Sequence, residues 1–471
     1  MKTTPFVKVL TDIRFWIILL FALRLVGINN APLDSHNWRQ TLTSMVARNF
    51  VEEGANLFYP KIDLAGENSG IIASEFPLFN YLIYIISNIF NYSHWIGRLI
   101  NLLISSLGMF YFFKLIKGVV NHRTAFNATI VLAASIWFAH SRKIMPDTFS
   151  VSLVIIGLCH AFVYIKKGSK WALILFFFFC TLGALSKIPA LSLISVLAVL
   201  VFIKEVDLRK KIAIFSTGAM SLLIVCLWYF YWVPFLLKSY GYQLFFPKTM
   251  TEGIREIIPQ FSELLEKFYF SSLNSFIALV CCLIGLYLIL RSGQRFLILG
   301  LGIITSVFIV FIIKTGAVFP LHSYYIIPFT PIMALLAGYA ISEIPIKLQY
   351  LLLVSILVEG IANQQHDFFT NEDQLYKLEL EAIAKNVIPA KDLVVINGGP
   401  SPQNMYFSHR KGWTENNETI LRPNYLDSVI NLGAKFLIVD ESYGDLKFHQ
   451  NEIVFKNTSY SIYRLKNNNV H

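Results

Sequence analysis

The chain has 471 residues, of which 55% are hydrophobic and only 15% carry a charge, and its mean hydropathy is +0.57. Soluble globular chains carry about 25% charged residues, so this composition excludes a soluble enzyme or a disordered scaffold and indicates an integral membrane protein. The net charge of +11 does not indicate a nucleic-acid partner, because the basic residues form short clusters between apolar runs rather than one long stripe.

Apolar runs long enough to cross a bilayer as helices recur along the first three quarters of the chain. They predict eleven spans, at residues 13–28, 95–116, 124–140, 148–165, 171–186, 190–203, 212–232, 272–290, 296–313, 321–341 and 348–362. A further segment, residues 76–90, is short and begins near Pro77, so it is either a twelfth span or an interfacial helix. With a cytoplasmic N-terminus, only the interfacial alternative places every basic turn inside, as the positive-inside rule requires. The sequence therefore predicts a C-terminal tail on the outer side.

The cysteines and the N-terminal run define the membrane class further. All five cysteines lie in apolar runs, so neither a disulfide framework nor a cysteine-based metal site is predicted. No small-residue cleavage site follows residues 15–28, which are predicted to be an uncleaved first span rather than a signal peptide. Under this topology the chain is predicted to be a multi-pass protein of the inner (plasma) membrane, with the tail outside.

The tail, residues 363–471, has the pattern of a small soluble domain that follows a membrane domain of residues 1–362. Helix-like stretches at 372–386 and 425–432 alternate with strand patterns at 393–396, 436–439 and 460–465. The predicted fold is thus a polytopic α-helical membrane protein with a small C-terminal α/β domain. The tail lacks paired acids, clustered histidines and a phosphate loop, so we predict that it positions the acceptor and is not catalytic.

A dense polar cluster follows the first predicted span and contains Asp34, His36, Trp38 and Arg39. A solvated loop with Trp38 at the membrane interface accounts for each residue taken alone. Their density favours a site, in which Asp34 accepts a proton from a substrate hydroxyl or holds a metal. His36 and Arg39 are then candidate substrate contacts.

Two further carboxylates, Glu75 and Asp147, lie at the ends of outer loops. Each also fits the start of a helix, where the helix dipole favours an acidic side chain. Arg142 and Lys143 share an outer turn with Asp147, on the side where the positive-inside rule does not place basic residues. This combination favours a site that binds an anionic ligand.

Lys187 adds a third basic residue at an outer helix end, where snorkelling toward the interface is the alternative explanation. Together with the two basic residues of the preceding outer turn, it predicts a basic half of a site whose acidic half is the three carboxylates. His322, Tyr324 and Tyr325 lie at the start of the tenth span and are candidate substrate contacts, although aromatic residues are also common at the interface.

These motifs, in this order, resemble the GT-C superfamily of membrane glycosyltransferases over about residues 10–345. The closest resemblance is to the dolichyl-phosphate-mannose protein mannosyltransferase type and to bacterial aminoarabinose transferase-like relatives. The resemblance implies an outer active site, a polyprenyl-phosphate sugar donor and inversion at the anomeric carbon. It assigns Asp34 as the essential first-loop aspartate, Glu75 and Asp147 as the further acids and Lys187 as the phosphate contact. Phe76 stands where aminoarabinose transferases carry a lysine.

The predicted reaction is transfer of a hexosyl or pentosyl group to a lipid, glycan or protein acceptor. Because polyprenyl phosphate leaves as a stable anion, no general acid and no cofactor are required; a divalent metal is compatible with Asp34, Glu75 and His322. Two alternatives stay open from sequence: a lipid-linked glycan flippase or transporter, and a glycan ligase or polymerase. A transporter favours charges near the bilayer midplane, whereas the acids here lie at outer loop ends.

Overall fold

The computed structural model describes residues 9–243, 247–444, 446 and 452–466. Within them the chain is mostly helical and carries a small C-terminal sheet, as predicted. Five helices are long and apolar enough to span a membrane, and a sixth span results when the sharply bent pair Met250–Ser271 and Phe276–Arg291 is counted as one. Five more apolar helices are shorter. The exact number of eleven spans stays a prediction.

Most of the helices overlap the predicted apolar runs, but the predicted span 321–341 is divided into three shorter helical pieces. The longer helices are Ile13–Leu23, Asn37–Glu53, Leu78–Phe90, His94–Val119, His122–Ala134, Pro146–Lys167, Lys170–Ser186, Leu208–Cys226, Phe276–Arg291, Arg295–Thr315, Thr330–Ser342 and Ile346–Asn363. Shorter turns of helix include Trp137–His140, Ile188–Ala190, Leu191–Ile194, Ser195–Val201, Val233–Tyr240, Met250–Ile257, Phe261–Glu266, Val318–Leu321 and Ser323–Ile326. The sequence did not predict Asn37–Glu53, which is polar on average and lies between the first predicted span and the segment 76–90.

One predicted span, residues 124–140, is interrupted in the structure. Helix His122–Ala134 ends before Trp137–His140 begins, and Gln364 satisfies the backbone groups on both sides of the break. Its side-chain amide donates to the Ala134 carbonyl at 3.0 Å, and its side-chain oxygen accepts from the Ala139 amide at 3.1 Å. A broken helix within a bundle is tolerated only when such groups find partners.

The described contacts divide the chain into two compact units. The first comprises Met1–Asn29, Trp95–Trp232 and Phe245–Phe368 and holds most of the apolar helices. Its central helices pack closely through small residues: a Cβ added at Gly285 would clash with the Leu336 carbonyl, and one at Gly338 with the Ala128 backbone. Glycine at a helix contact lets backbones approach in this way.

The second unit comprises Asn30–His94, Val233–Leu244 and Phe369–His471. The segment after the first predicted span and the tail share one hydrophobic core here, because Leu42 and Phe50 belong to the same buried cluster as Ile396 and Tyr406. Arg48 adds polar contacts, donating to the Tyr406 carbonyl at 2.8 Å and to an Asp63 carboxylate oxygen at 3.0 Å. The predicted domain boundary at residue 362 stays a prediction, but removing the tail would expose this shared core.

The tail contains a five-stranded sheet with the order β2-β1-β3-β5-β4. The strands are β1 Leu393–Asn397, β2 Gly412–Glu415, β3 Ala434–Asp440, β4 Glu452–Lys456 and β5 Tyr460–Arg464. β1 pairs in parallel with β2 and β3, whereas β5 is antiparallel to β3 and β4. Its helices include Leu380–Val387, Gln403–Ser408, Asn417–Ile420 and Tyr425–Asn431, and a tighter helix Glu372–Glu379 forms the first part of the predicted stretch 372–386. Strands β2 and β4 were not predicted, because neither has a run of buried apolar residues.

Candidate functional site

Asp147 lies in the first turn of helix Pro146–Lys167, directly after Pro146 at the first helical position. Proline is favoured there because its missing N–H would have no partner within the helix. Lys187 follows the end of helix Lys170–Ser186 and has extended backbone angles. Both residues belong to the first unit, and the ends of their two helices bring the side chains together.

The Lys187 ammonium lies 3.6 Å from Oδ1 of Asp147 and forms an ion pair with it. Both side chains are largely buried, so the two charges interact through a medium less polar than water. The other carboxylate oxygen of Asp147 is buried without a hydrogen-bond partner among the described residues. A buried polar atom left unsatisfied costs about 1–3 kcal/mol. This oxygen is therefore suited to accept a hydrogen bond from a ligand.

Two aromatic rings from a third motif face the same ammonium. Lys187 Nζ lies 5.7 Å from the ring centroid of Tyr324 and 5.9 Å from that of Tyr325. His322 stacks on Tyr324 with ring centroids 5.1 Å apart. Residues from three motifs that are far apart in the sequence therefore form one cluster, which we call the Lys187 cluster: Asp147, Lys187, His322, Tyr324 and Tyr325.

Arg142 and Lys143, predicted with Lys187 to bind an anion, contact other parts of the first unit. Arg142 is buried and donates to the carbonyls of Arg24 at 3.1 Å and Val26 at 2.5 Å, at the end of the first helix. Its guanidinium lies 4.3 Å from the ring centroid of Phe368. These contacts fix the turn that leads to Asp147. A role in phosphate binding stays a prediction for both residues.

Lys143 is fully buried and pairs with Asp367, whose Oδ1 lies 2.7 Å from its ammonium. Burial raises the pKa of the Asp367 carboxyl, but the charges of Lys143 and His140 and the hydrogen bond from Lys143 outweigh burial and hold the pKa well below its usual range. The carboxylate is therefore ionised at neutral pH. Asp367 follows the last long apolar helix, where no sequence motif marks it as a candidate.

Asn101 is a second buried residue that no sequence motif marks. From helix His94–Val119, its side-chain amide donates to the carbonyls of His140, Lys143 and Met145 at 2.9 to 3.2 Å. It thereby satisfies the backbone of the turn before Asp147. An asparagine in an apolar span is a weak signal for such a role, but the sequence does not show which carbonyls it meets.

Asp34 lies in the second unit and is buried. The side-chain amide of Gln40 donates to Asp34 Oδ1 at 2.5 Å and to the Ser35 carbonyl at 3.0 Å. His36, which lies between Asp34 and Gln40 in the sequence, has a left-handed backbone with φ of 60°. Such a conformation is uncommon for a residue other than glycine and is frequent at functional sites. It directs the chain into helix Asn37–Glu53.

Arg39 and Glu75, two separate candidates from sequence, form an ion pair in the second unit. The Nε atom of Arg39 is buried and has no hydrogen-bond partner among the described residues. Asn80, in helix Leu78–Phe90, donates to the Thr43 carbonyl at 2.7 Å and so links this helix to helix Asn37–Glu53. Glu75 therefore has a specific cationic partner, beyond a general preference for the start of a helix.

The candidate residues thus form two groups. Asp34, His36, Arg39 and Glu75 lie in the second unit, and the Lys187 cluster lies in the first. In the described part of the chain, no group of three histidine, cysteine or acidic side chains is arranged to hold a metal ion. That the two groups serve one reaction stays a prediction.

Comparison with known families gives one match. The family model of dolichyl-phosphate-mannose-protein mannosyltransferase matches residues 74–232. That range includes Glu75, Asp147 and Lys187 from both groups of candidate residues. No curated protein sequence matches the chain.

Solved structures share the fold across nearly the whole chain. ArnT from Cupriavidus metallidurans bound to undecaprenyl phosphate is 12% identical with a TM-score of 0.61, over 95% of this chain and 98% of that one. AglB, the archaeal oligosaccharyltransferase from Archaeoglobus fulgidus, in complex with an inhibitory peptide and a dolichol-phosphate, is 12% identical with a TM-score of 0.59, over 91% and 69%. These matches show that the chain shares the fold of these structures, and together with the family model they confirm the resemblance predicted from the motifs.

Proposed function

We propose that this chain is an inverting membrane glycosyltransferase, which moves a hexosyl or pentosyl group from a polyprenyl-phosphate donor to an acceptor outside the cytoplasm. The Lys187 cluster is the observation that carries the proposal. A cation, a carboxylate with an unsatisfied oxygen and two aromatic faces come together from three distant motifs. The fold shared with proteins bound to undecaprenyl phosphate or dolichol-phosphate supports the same class of donor.

The proposed reaction is a single displacement. Asp34 takes the proton of the acceptor hydroxyl, the acceptor oxygen bonds to the anomeric carbon, and the bond from that carbon to the phosphate oxygen breaks. The phosphate leaves with the electron pair and gains negative charge. Lys187 stabilises that charge through a charge-assisted hydrogen bond in a partly dry site, and the Asp147 carboxylate orients the sugar or the acceptor.

The assay for the proposed reaction uses purified full-length protein with a panel of undecaprenyl-phosphate sugars. We expect one donor to be consumed, with release of free undecaprenyl phosphate. A flippase moves the lipid without breaking the glycosidic bond, so intact donors throughout the panel, in protein that translocates them, would favour that alternative. A ligase would require a diphosphate-linked donor.

Replacing Lys187 by alanine tests its contact with the donor phosphate. We expect Lys187→Ala to weaken binding of undecaprenyl phosphate by about 1.5–3 kcal/mol, the value of a hydrogen bond to a charged group. Affinity measured by native mass spectrometry should fall by about 10- to 150-fold. Lys314→Ala, at the end of helix Arg295–Thr315, is the matched control and should change the affinity less than twofold. An equal loss in both variants would contradict the assignment.

Topology provides a separate test. We propose an inner-membrane location with the tail on the outer side, because this arrangement places the basic turns inside. A reporter enzyme that is active only outside the cytoplasm, fused after His471, should be active. Activity only from a cytoplasmic reporter at the same place would reverse the sidedness.

A further inference from the structure

The carboxyl ends of β1 and β3 in the tail form an edge that the proposed reaction does not use. β1 lies between two strands that are both parallel to it, β2 on one side and β3 on the other. After β1 the chain forms β2 on one side of it, and it then crosses β1 to form β3 on the other side. In open α/β sheets, ligands bind outside the carboxyl ends of the strands at such a switch point.

Polar side chains fix the two loops that meet at this edge. Buried Asp440, at the end of β3, accepts hydrogen bonds from Asn404 at 2.8 Å and from the Tyr376 hydroxyl at 2.8 Å. Its backbone amide donates to Asn397, the last residue of β1, at 2.5 Å. Ser442 also donates to Asp440. The loops after β1 and β3 are thus held in one fixed arrangement.

Two exposed aromatic side chains flank the turn at residues 398–401. The indole N–H of Trp38 donates to the Pro400 carbonyl at 2.8 Å, and Trp38 is 36% exposed. Tyr443 is 44% exposed, and its hydroxyl lies so close to Gly399 that a Cβ there would clash with it. Gly399 also has φ of 56°, which favours glycine. We call Trp38, Gly399, Pro400, Ser442 and Tyr443 the Gly399 platform.

The chemistry of the platform fits a neutral sugar. Exposed tryptophan and tyrosine rings offer rigid apolar faces at low entropic cost, and a pyranose presents a matching face of C–H groups. Hydroxyl and backbone groups beside the rings suit sugar hydroxyls. Asp440 at the end of β3 and Glu441 directly after it are acidic and disfavour a phosphate or another anion.

We infer that the Gly399 platform binds a neutral carbohydrate that is part of the acceptor. This inference rests on the proposed function, which it deepens by making the acceptor a glycan. Trp38 connects the platform with the proposed active site, because it lies in the same polar cluster as Asp34 and in the first turn of helix Asn37–Glu53. The acceptor sugar would then rest on the same short segment that carries the catalytic base.

The test uses full-length protein in an amphipol, because the disaccharide headgroup of a maltoside detergent would compete with the disaccharide probes. Maltose, cellobiose, lactose, mannobiose and N,N′-diacetylchitobiose are titrated by saturation-transfer NMR and tryptophan fluorescence. We expect at least one disaccharide to bind saturably. Trp38→Ala and Tyr443→Ala should each weaken that binding about tenfold, the upper range for an aromatic contact, while the affinity for undecaprenyl phosphate moves less than twofold.

Phe58→Ala is the matched control, since Phe58 is another exposed aromatic residue of the same unit, and it should leave saccharide binding within twofold. Trp38→Phe keeps a ring but loses the N–H donor, and should give an intermediate loss. Absence of binding across the panel, an equal loss in Phe58→Ala, or binding of peptides in place of sugars would overturn the inference. Saccharide binding without any transfer would instead count against the proposed function alone.

Discussion

We expect Asp34→Asn to lower the rate of sugar transfer by about 10² to 10⁴, the range for loss of a general base. The substitution keeps size and polarity, and an asparagine oxygen still accepts the hydrogen bond that Gln40 donates at 2.5 Å. An amide does not take up the acceptor proton, however. Single-turnover transfer from a saturating donor, compared with donor affinity, isolates this step: the rate should fall while the affinity stays within twofold.

Asp63→Asn is the matched control for this substitution. Asp63 is also buried in the second unit, where it accepts from Arg48 at 3.0 Å and from Asn49 at 2.9 Å. Its loss should lower thermal stability, yet the folded fraction should transfer sugar at a rate within about threefold of the unmodified protein. Near-normal transfer by Asp34→Asn would remove Asp34 from the role of base.

The largest expected effect on stability is that of Asp367→Ala. The Lys143 ammonium is 0% exposed, so loss of its carboxylate partner leaves a buried charge unpaired. Breaking a buried ion pair in this way costs about 3–5 kcal/mol. We expect a clear drop in thermal unfolding temperature of the detergent-solubilised protein, followed by the fluorescence of the buried tryptophans.

Two further variants distinguish the loss of the buried ion pair from a general destabilisation by any lost carboxylate. Asp392→Ala removes a carboxylate whose partner, Lys435, is 64% exposed; the freed cation is hydrated, so the loss should be about 1 kcal/mol or less. The double variant Lys143→Met with Asp367→Leu replaces both charges by apolar groups and should recover most of the stability. Failure of the double variant to recover would show that the pair itself is not the cause.

The pH dependence of this contribution follows from the lowered pKa of Asp367. A carboxyl whose pKa is lower in the folded than in the unfolded protein stabilises the fold above the unfolded value, about 3.9, and this stabilisation is lost as the pH falls through the folded value. The stability difference between the unmodified protein and Asp367→Ala should therefore stay constant from about pH 6 to pH 8 and shrink only in acid.

Local patterns determined the membrane class and much of the tail. The length of an apolar run is a property of neighbouring residues. The same holds for the short apolar runs that predicted β1 and β3 and for the alternation that predicted β5. The same holds for the start of a helix at Pro146, where proline fixes the backbone of the first turn. For this reason the membrane fold, three strands of the tail sheet and the individual candidate motifs were recognisable from the printed chain alone.

Tertiary structure decided which of these residues meet. Lys143 and Asp367 are 224 positions apart, and Lys187 meets Tyr324 from a different helix. A buried charge requires a partner, but the identity of the partner depends on how distant helices pack, which spacing along the chain does not encode. The same holds for helix Asn37–Glu53, whose polar sequence shows no membrane or amphipathic pattern and which is buried because the tail sheet shares its core.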